Sequence, residues 1–258
     1  MPKILITNDD SYETKGLEVL IKAVKELGEV YVAAPATHKS ACSHSLTITK
    51  PLRFIEIKEN FYKLDDGTPA DCVYLSMDKI FNRIKPDIVL SGINHGANMG
   101  EDVNYSGTAA GAFEGAIHGI PSIAFSQVLK SYETPPCEVN WDNAAKTAYK
   151  ITKLLLEGGL SVKHREILNV NIPNTKKIKG LKVTKLGYRL YGFDAHKHLN
   201  PRGEEYYWIG LHPLKFKEDE KSDFYAVKNG YVSITPLKLD ITAYNTIEEL
   251  DRQINEIE

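Results

Sequence analysis

Two adjacent carboxylates, Asp9 and Asp10, follow Asn8 at the end of a short apolar run over residues 3–7 (KILIT). The run is typical of a buried strand. Neighbouring side chains of a strand point to opposite faces, so both carboxylates converge only where the backbone turns at the strand end. Together they would make a hard anionic site that suits Mg²⁺, Mn²⁺ or Ca²⁺. The alternative is that Asp10 or Ser11 caps a helix or a turn.

The segment 92–115 (GINHGANMGEDVNYSGTAAGAFEG) is a second candidate site, because it follows the predicted strand 87–91 (DIVLS). Within it, Ser106, Gly107 and Thr108 stand where a helix is predicted to begin, and the free N–H groups of a helix N-terminus favour phosphate. A plain cap on a core helix would explain one of these residues, but not the asparagines of a long polar loop.

Four glycines, Gly107, Gly111, Gly115 and Gly119, recur every four residues along the helix predicted for 108–118. Glycine lets a backbone approach its neighbour closely. The stripe therefore predicts close packing of this helix on the sheet, which is a structural role rather than a catalytic one.

A serine-rich loop, residues 40–45 (SACSHS), follows the second predicted strand. Neighbouring strand-end loops could bring Ser40 close to Asp9 and Asp10. Serine is common in ordinary turns, so this loop indicates a site only in combination with the Asp pair.

Several well-known catalytic motifs are missing from the sequence. It has no GxxxxGK[ST] phosphate loop, no GxGxxG, no GxSxG and no HExxH. An aspartyl-nucleophile pattern is also missing, because Ser11 and Tyr12 stand two positions after Asp9 and Asp10. Water activated by a metal ion is the simpler hypothesis. Asp9, Asp10 and His95 are all conceivable proton donors, so no catalytic residue is assigned beyond the metal ligands.

The composition excludes several classes of protein. With 32 Lys and Arg against 34 Asp and Glu, the formal net charge is -2, which gives no broad basic field for a nucleic-acid polymer. Hydrophobic residues at 42% and charged residues at 26% are typical of a folded globular chain. No stretch approaches the roughly 18 apolar residues of a membrane span. We therefore expect a cytoplasmic protein that acts on small substrates and binds no membrane.

Cysteine and histidine residues give little indication of a metal site. Cys42, Cys72 and Cys137 are widely spaced and odd in number, so buried thiols are expected rather than disulfides or a thiolate site. His196 and His198 would share one face of a strand, as two ligands could, but paired surface histidines are common.

The order of the predicted elements indicates an α/β fold. A strand over 3–7, a helix over 16–27 and a strand over 29–34 form a βαβ unit, whose ligands bind at the carboxyl ends of the strands. Runs 45–49 and 52–58 predict a hairpin. Helices are then predicted over 71–81, 108–118 and 143–156, with strands over 87–91, 122–126 and 167–171.

From about residue 175 the pattern changes to two long aromatic runs, 180–198 (GLKVTKLGYRLYGFDAHKH) and 204–212 (EEYYWIGLH), separated by Asn200, Pro201 and Gly203. They predict a projecting β-hairpin. An isolated hairpin is marginally stable in water, so its aromatic side chains indicate contact with another subunit or with the mouth of the site. These side chains are Tyr188, Tyr191, Phe193, Tyr206, Tyr207 and Trp208. A strand over 230–237 and an amphipathic helix over 246–257 complete the chain.

These patterns divide the chain within one continuous structural domain. Residues 1–175 are predicted to form the catalytic core. Residues 176–258 are predicted to supply the hairpin arm, the final core strand and a C-terminal helix for homo-oligomer formation.

Seven segments spread over nearly the whole chain carry a family resemblance: ILITNDD, PATHKSACSHSLT, GTPADCV, SGINHGANMGEDVNYSGTAAGAFEG, IPSIAFS, RGEEYYWIG and GYVSITPL. Through them the sequence closely resembles the SurE (survival protein E) family of nucleotidases. The resemblance implies a Rossmann-like, three-layer α/β/α core with a mostly parallel sheet. It also implies a projecting C-terminal β-hairpin arm and a terminal helix that join chains into homodimers or homotetramers.

The resemblance also assigns site residues by position. It implies one divalent metal ion per subunit, Mg²⁺, Mn²⁺ or Ca²⁺, held by Asp9, Asp10, Ser40 and Asn94. It places the substrate phosphate at Asn98, Ser106, Gly107 and Thr108, and adds Ser43 to the same pocket.

Two residues depart from the family pattern. Ser11 and Ala41 stand where the family usually has glycine, each beside a metal ligand that the resemblance implies. Glycine adopts a positive φ freely, whereas serine and alanine do so at a cost. We expect slightly reshaped loops and retained activity, because every ligand position keeps its residue type.

The activity implied by the resemblance is metal-dependent hydrolysis of nucleoside 5′- and 3′-monophosphates to nucleoside and phosphate, a 5′-nucleotidase activity. One alternative is a phosphatase for short-chain polyphosphate or sugar phosphates, since nothing in the sequence visibly selects a base. Another is a non-catalytic nucleotide-binding protein, which would leave the Asp pair without a role.

Overall fold

Parallel strands at the centre of the molecule carry the segments singled out above. The computed structural model describes residues 1–129, 134–192, 195–209 and 215–257. Its strands are β1 (Lys3–Thr7), β2 (Glu29–Pro35), β3 (Arg53–Lys58), β4 (Phe61–Asp65), β5 (Ile88–His95), β6 (Ser122–Gln127), β7 (Glu166–Ile172), β8 (Leu181–Val183), β9 (Arg189–Leu190), β10 (Ala195–Leu199), β11 (Glu205–Ile209), β12 (Lys215–Phe216) and β13 (Val232–Lys238). Its helices are α1 (Lys15–Val24), α2 (Pro69–Lys79), α3 (Gly107–Ile117), α4 (Trp141–Leu156), α5 (Asp223–Lys228) and α6 (Tyr244–Asn255).

Nine strands of the described residues form one sheet in the order β3-β4-β2-β1-β5-β6-β7-β13-β8. The strands from β4 to β7 in this order are parallel. At the two sides, β3 runs antiparallel to β4 and β13 runs antiparallel to β7. Because β1 lies between β2 and β5, the loops that follow these three strands meet at one edge of the sheet. The predicted α/β fold with a mostly parallel sheet is confirmed.

Helices cover both faces of this sheet and give three layers. Alternate residues of β1 separate the faces. Ile4 and Ile6 pack in one core cluster with Leu17 of α1, whereas Leu5 packs in another cluster with Val73 of α2. Helix α4 contacts α1, and α3 contacts α2. The predicted α/β/α arrangement is therefore confirmed as well.

The strand predicted over 45–49 is wrong. The partner of β3 is β4, over 61–65, and not the earlier run. Thr47 donates its backbone N–H and its hydroxyl to the Asp71 carboxylate, at 2.8 and 2.6 Å. Asp71 also forms a capping box with Thr68 at the start of α2. The run is therefore tied to a helix N-terminus instead of a neighbouring strand.

Other differences concern boundaries and short elements. Helix α1 ends at Val24 rather than at residue 27, and β5 continues to His95 rather than ending at residue 91. The sequence patterns do not predict β4, β12 or α5, which contain only two to six residues, and they assign β8 and β9 to the hairpin. Such lengths are too short for a hydrophobic period to emerge.

The aromatic region contains a hairpin that is shorter than predicted, because β8 pairs with β13 in the central sheet and β9 pairs with β12. Strands β10 and β11 pair antiparallel, from Ala195 opposite Ile209 to Leu199 opposite Glu205. Every residue of both strands is exposed, and so is every residue of α6. Phe193, one of the aromatic residues assigned to the arm, lies outside the described residues. Among the helices of the described ranges, none has the length and apolar character needed to cross a membrane.

The glycine stripe packs α3 closely on the sheet. A Cβ at Gly111 would lie 2.8 Å from Thr7 Cγ2, and a Cβ at Gly115 would lie 2.4 Å from the Ser122 hydroxyl oxygen. Gly119 does not share this contact, because the helix has already ended. Its φ of 73° is typical of a glycine that follows a helix end.

We expect Gly115→Ala to lower the free energy of unfolding by roughly 1–3 kcal/mol, because the added methyl group overlaps Ser122 and Val89. Helix propensity alone would raise this free energy by about 1 kcal/mol. The sign of the change therefore separates close packing from propensity. Urea denaturation followed by circular dichroism measures it, and a variant more stable than the wild type would contradict the packing argument.

Candidate active site

The loops after β1, β2 and β5 meet at the carboxyl edge of the sheet. Strand β1 is paired with both neighbours, and its last residue, Thr7, lies beside Ser91 of β5. Asp9 and Asp10 come just beyond this strand end and are only 4% and 7% exposed. Two adjacent carboxyl groups are therefore removed from water at the place where folds of this class bind ligands.

The Asp9 carboxylate faces the start of α3. Its Oδ1 accepts a hydrogen bond from the Thr108 hydroxyl at 2.6 Å. Gly107 lies so close that a Cβ there would be 2.8 Å from the Asp9 Cβ. On its other side, the Asp9 carbonyl accepts a bond from the Lys39 N–H at 2.7 Å. Asp9 thus joins the start of α3 to the serine-rich loop.

The Asp10 carboxylate faces β5. Its Oδ2 accepts a hydrogen bond from the His95 N–H at 2.9 Å, and His38 Nδ1 lies 3.8 Å from its Oδ1. Beside His95, Asn94 donates from Nδ2 to the Gly96 carbonyl at 3.0 Å. The Asn94 amide oxygen therefore points away from that carbonyl. Asn94 lies at the end of β5, next to His95, whose N–H donates to Asp10.

Burial and mutual repulsion oppose the negative charge of the pair. The pKa of Asp9 is raised from 3.8 to about 7, first because the carboxyl group is removed from water and second because Asp10 lies beside it. The hydrogen bond from Thr108 acts in the opposite direction but is outweighed. A divalent cation bound to both carboxylates would favour their charged forms.

The start of α3 has features that favour an anion. Ser106 is its N-cap, and its Oγ accepts a hydrogen bond from the Ala109 N–H at 3.0 Å. The N–H groups of Gly107 and Thr108, the first residues of the helix, have no intrahelical acceptor. Together with the helix dipole they favour a negatively charged group. Because Gly107 also contacts Asp9, an anion bound here would lie next to the carboxylate pair.

The serine-rich loop is held against the segment before α3. Ser43 Oγ donates to the Asn104 carbonyl at 2.9 Å, and the Ser43 N–H donates to the Tyr105 carbonyl at 3.1 Å. Ser40 is exposed and directly follows Lys39, which bonds to Asp9. Ser40 is therefore in the loop that reaches the carboxylates, and its role as a metal ligand stays a prediction.

Left-handed backbone occurs at both positions where the family usually has glycine. Ser11 has a φ of 95° and Ala41 a φ of 56°. The Ser11 carbonyl accepts bonds from Asn8 Nδ2 at 2.8 Å and from Thr14 Oγ1 at 3.0 Å, which hold this turn in place. The side chains at these positions are accommodated in a backbone conformation that glycine would adopt more easily.

Asn98 lies in a buried network of amide groups. Its Nδ2 donates to Ser126 Oγ at 2.8 Å, and its carbonyl accepts bonds from Asn169 and Asn171 at 2.8 and 2.9 Å. Its backbone N–H donates to Asn171 Oδ1 at 2.9 Å. These bonds fix the segment between β5 and α3, and the phosphate contact assigned to Asn98 stays a prediction.

Cys42 is the cysteine that reaches the site: a Cβ at Gly107 would lie 2.9 Å from its Sγ and 2.8 Å from the Asp9 Cβ. Buried thiols are confirmed for Cys72 only, since Cys42 is partly buried and Cys137 is exposed. His196 and His198 are exposed on β10. Within the described ranges, no group of three or more His, Cys, Asp or Glu side chains could hold a metal ion.

The four residues assigned to the metal form a different kind of donor set. Only two of them are carboxylates, Asp9 and Asp10, and the others offer a hydroxyl oxygen and an amide oxygen from Ser40 and Asn94. Oxygen donors of this kind suit a hard divalent cation. The buried carboxylates fit such a cation, because the hydrogen bonds to Asp9 do not outweigh its removal from water and the charge of Asp10 beside it.

Comparison with known proteins gives a family for this arrangement. The sequence model of the family described as Survival protein SurE matches residues 4–193. The chain belongs to the SurE family. Two relatives with the name 5′-nucleotidase SurE match it over nearly their full length. The protein from a Nitratiruptor species is 54% identical over 97% of this chain and 98% of its own, and that from Aliarcobacter butzleri is 51% identical over 99% and 100%.

A solved structure extends the likeness to three dimensions. The crystal structure of Sure protein from Aquifex aeolicus superposes with a TM-score of 0.85 and is 44% identical, covering 98% of this chain and 99% of that one. The likeness therefore extends over nearly the whole length of both chains.

Sequence reasoning missed the backbone contributions to this SurE-family site. The N–H groups of His95 and Lys39 bond to the Asp pair, and a backbone group leaves no signal in residue type. Gly16 could have been found. It stands at the start of a predicted helix, and a Cβ there would lie 1.9 Å from the Ile93 carbonyl oxygen. A glycine at such a position indicates close approach of two backbones.

We expect Thr108→Val to weaken Mn²⁺ binding by about tenfold, because residues that orient metal ligands typically contribute 10–100-fold to affinity. The variant keeps the shape of the side chain but removes the hydrogen bond to Asp9. Thr108→Ser keeps the hydroxyl and is the matched control. Isothermal titration calorimetry measures both dissociation constants, and equal Mn²⁺ affinities for the two variants would show that the hydroxyl does not orient Asp9.

Proposed function

We propose that this chain is a divalent-metal-dependent phosphohydrolase that releases phosphate from nucleoside 5′-monophosphates and also accepts 3′-monophosphates. The observation that carries the proposal is the contact between Asp9 and the start of α3. A buried carboxylate pair and an anion-binding helix N-terminus share one small space. A bound phosphate is favourable beside two carboxylates when a cation lies between them.

The proposed cation is one Mg²⁺, Mn²⁺ or Ca²⁺ per subunit, held by Asp9, Asp10, Ser40 and Asn94. When bound, it polarises the phosphoryl group and lowers the pKa of a coordinated water. The chain supplies the orientation of these donors. The Thr108 hydroxyl orients the Asp9 carboxylate, and the His95 N–H orients the Asp10 carboxylate.

The start of α3 supplies the proposed phosphate contacts. The proposed donors to the phosphoryl oxygens are the N–H groups of Gly107 and Thr108, in the first turn of the helix. The Thr108 N–H also interacts with the Asp9 carboxylate. As negative charge builds on the phosphoryl oxygens during in-line attack, the same N–H groups stabilise it. Ser106 holds the first helical turn in register by accepting the Ala109 N–H. No covalent intermediate with the protein is required.

The names of the relatives support the nucleotidase proposal. Two proteins that match this chain over nearly their full length carry the name 5′-nucleotidase SurE. A phosphatase acting on the 5′ phosphate of nucleotides is therefore the activity best supported for this chain. The proposed metal dependence rests on the donor set, and the acceptance of 3′ phosphates rests on the family resemblance of the sequence motifs.

We expect phosphate release from adenosine 5′-monophosphate to require Mg²⁺ or Mn²⁺ and to stop with EDTA. Asp10→Asn removes one negative charge at nearly constant size and should lower kcat/KM by roughly 100-fold or more, because a charged metal ligand is lost. Asp78→Asn, at a carboxylate that is 76% exposed, is the matched control and should leave kcat/KM unchanged. Colorimetric phosphate detection measures each rate.

Other substrates test the alternatives in the same assay. Faster release from short polyphosphate than from any nucleotide would contradict the nucleotidase proposal. Nucleotide binding without phosphate release, with every metal ion, would favour a binding protein instead. Equal activity with EDTA and with Mn²⁺ would overturn the metal dependence.

We also propose that the chain forms a homo-oligomer, with residues 1–175 carrying the chemistry and residues 176–258 adding arm and helix contacts. Helix α6 has an exposed apolar face formed by Tyr244, Ile247, Leu250 and Ile254, which are 48–65% exposed. The hairpin arm adds exposed Tyr207 and Trp208. Clustered apolar exposure of this extent is typical of an interaction surface.

We expect Leu250→Asp to lower the mass of the particle in solution, because a carboxylate on the apolar face of α6 would be buried without a partner in the oligomer. Asn245→Asp introduces the same charge on the opposite side of the helix and is the matched control. Size-exclusion chromatography with light scattering measures the mass. An unchanged mass for Leu250→Asp would exclude this face from the interface.

A further inference from the structure

A pocket of about 270 Å³ lies on the side of the Asp pair away from α3. Its lining includes Asp10, His38, His95, Gly16 and Trp141. Sites for whole small molecules usually measure about 300–1,000 Å³. This pocket therefore suits one part of a substrate, such as a single ring system, rather than a complete nucleotide.

The wall of this pocket is an aromatic surface in a fixed orientation. Trp141 Nε1 donates to the Pro136 carbonyl at 2.9 Å, which sets the direction of the indole. The Trp141 ring packs against α1, and a Cβ at Gly16 would lie 3.4 Å from its Cη2 atom. The His95 imidazole lies near the indole, with centroids 6.2 Å apart and planes inclined by 25°. A flat ligand meets two roughly parallel rings here.

The carboxylates of Asp9 and Asp10 face two different candidate ligand positions at the edge of the sheet. Asp9 bonds to Thr108 at the start of α3, where the phosphate is proposed to bind. Asp10 faces the other way, bonds to the His95 N–H and borders the aromatic pocket. A phosphate monoester that contacts α3 therefore has room for its organic group beyond Asp10.

Resting on the proposed function, we infer that this pocket receives the heterocyclic base of the nucleotide against the Trp141 indole and so selects nucleotides over sugar phosphates. Stacking of a base on an aromatic side chain tolerates every base, because each base has a π face. The pocket thus discriminates between a substrate with a base and one without. It discriminates little among purines and pyrimidines.

A second cavity is an alternative binding site for the base. It measures about 610 Å³, borders Ser106 on the other side of the phosphate position and contains the aromatic ring of Phe113. Most of its remaining wall comes from residues 184–186 and 235–241, which carry aliphatic, hydroxyl and lysine side chains. A base placed in this cavity would depend on Phe113 instead of Trp141.

The kinetic test compares adenosine 5′-monophosphate with ribose 5-phosphate, which has the same phosphorylated sugar without a base. We expect Trp141→Leu to raise KM for the nucleotide about tenfold, in line with the loss of one stacked base. Its kcat for the nucleotide and its kcat/KM for ribose 5-phosphate stay at wild-type values. Trp141→Phe restores the nucleotide KM, and Phe113→Leu, the matched aromatic-to-leucine control, leaves it unchanged.

A binding test needs neither metal nor turnover. The chain has two tryptophans, so in Trp208→Phe the tryptophan fluorescence, excited selectively over that of tyrosine, comes from Trp141 alone. Adenosine added in the presence of EDTA quenches this fluorescence with saturation, whereas ribose does not.

The outcomes separate this inference from the proposed function. Quenching by adenosine in a chain that hydrolyses no nucleotide supports the base pocket and overturns the nucleotidase. Two results would overturn the base pocket without contradicting the phosphohydrolase proposal. In the first, nucleotides are hydrolysed and Trp141→Leu changes KM for both substrates equally. In the second, only Phe113→Leu raises the nucleotide KM.

Discussion

Repulsion between the buried carboxylates of Asp9 and Asp10 is the constraint on which the surrounding structure depends. Removal from water and the neighbouring charge raise the pKa of Asp9 to about 7. Hydrogen bonds offset part of this cost, among them those from the Thr108 hydroxyl to Asp9 and from the His95 N–H to Asp10. These donors come from elements on either side of β1, so the pair keeps its geometry only while the whole sheet edge is assembled. The uncompensated charge is also what would give the site its affinity for a cation.

Close backbone approach brings two helices to this edge from opposite faces of the sheet. Gly107 lets the start of α3 contact Asp9, and Gly16 lets the start of α1 contact the Ile93 carbonyl. Neither contact leaves room for a Cβ atom. Gly107 and Gly16 therefore set both the distance of the helices from the sheet and the geometry of the site. The edge therefore has a polar side, where Gly107 begins α3, and an aromatic side, where Trp141 packs against α1.

Long periodic elements and residue types at strand ends could be predicted from the sequence. The sequence predicts β1 at its observed bounds. It also allows Ser40 to approach Asp9 and Asp10, because neighbouring parallel strands bring their carboxyl ends together. The run 45–49 was misread, since the bonds of Thr47 to Asp71 override its alternating pattern. The backbone donors to the Asp pair and the aromatic pocket could not be predicted, because they depend on tertiary contacts between distant segments.

The arm is joined to the site by polar contacts that the sequence pattern did not indicate. Asp102, in the segment that leads into α3, accepts hydrogen bonds from the Arg189 guanidinium and from the Tyr191 hydroxyl, the latter at 2.7 Å. The buried Asp223 carboxylate accepts the N–H groups of Gly100 and Gly187 at 2.8 and 2.9 Å. The segment before α3 is thus clamped between the base of the arm and α5. Because that segment sets the position of Ser106 and the first turn of α3, contacts made by the arm in an oligomer would act directly on the phosphate side of the site, while the aromatic side, built on α1 and α4, would keep its geometry.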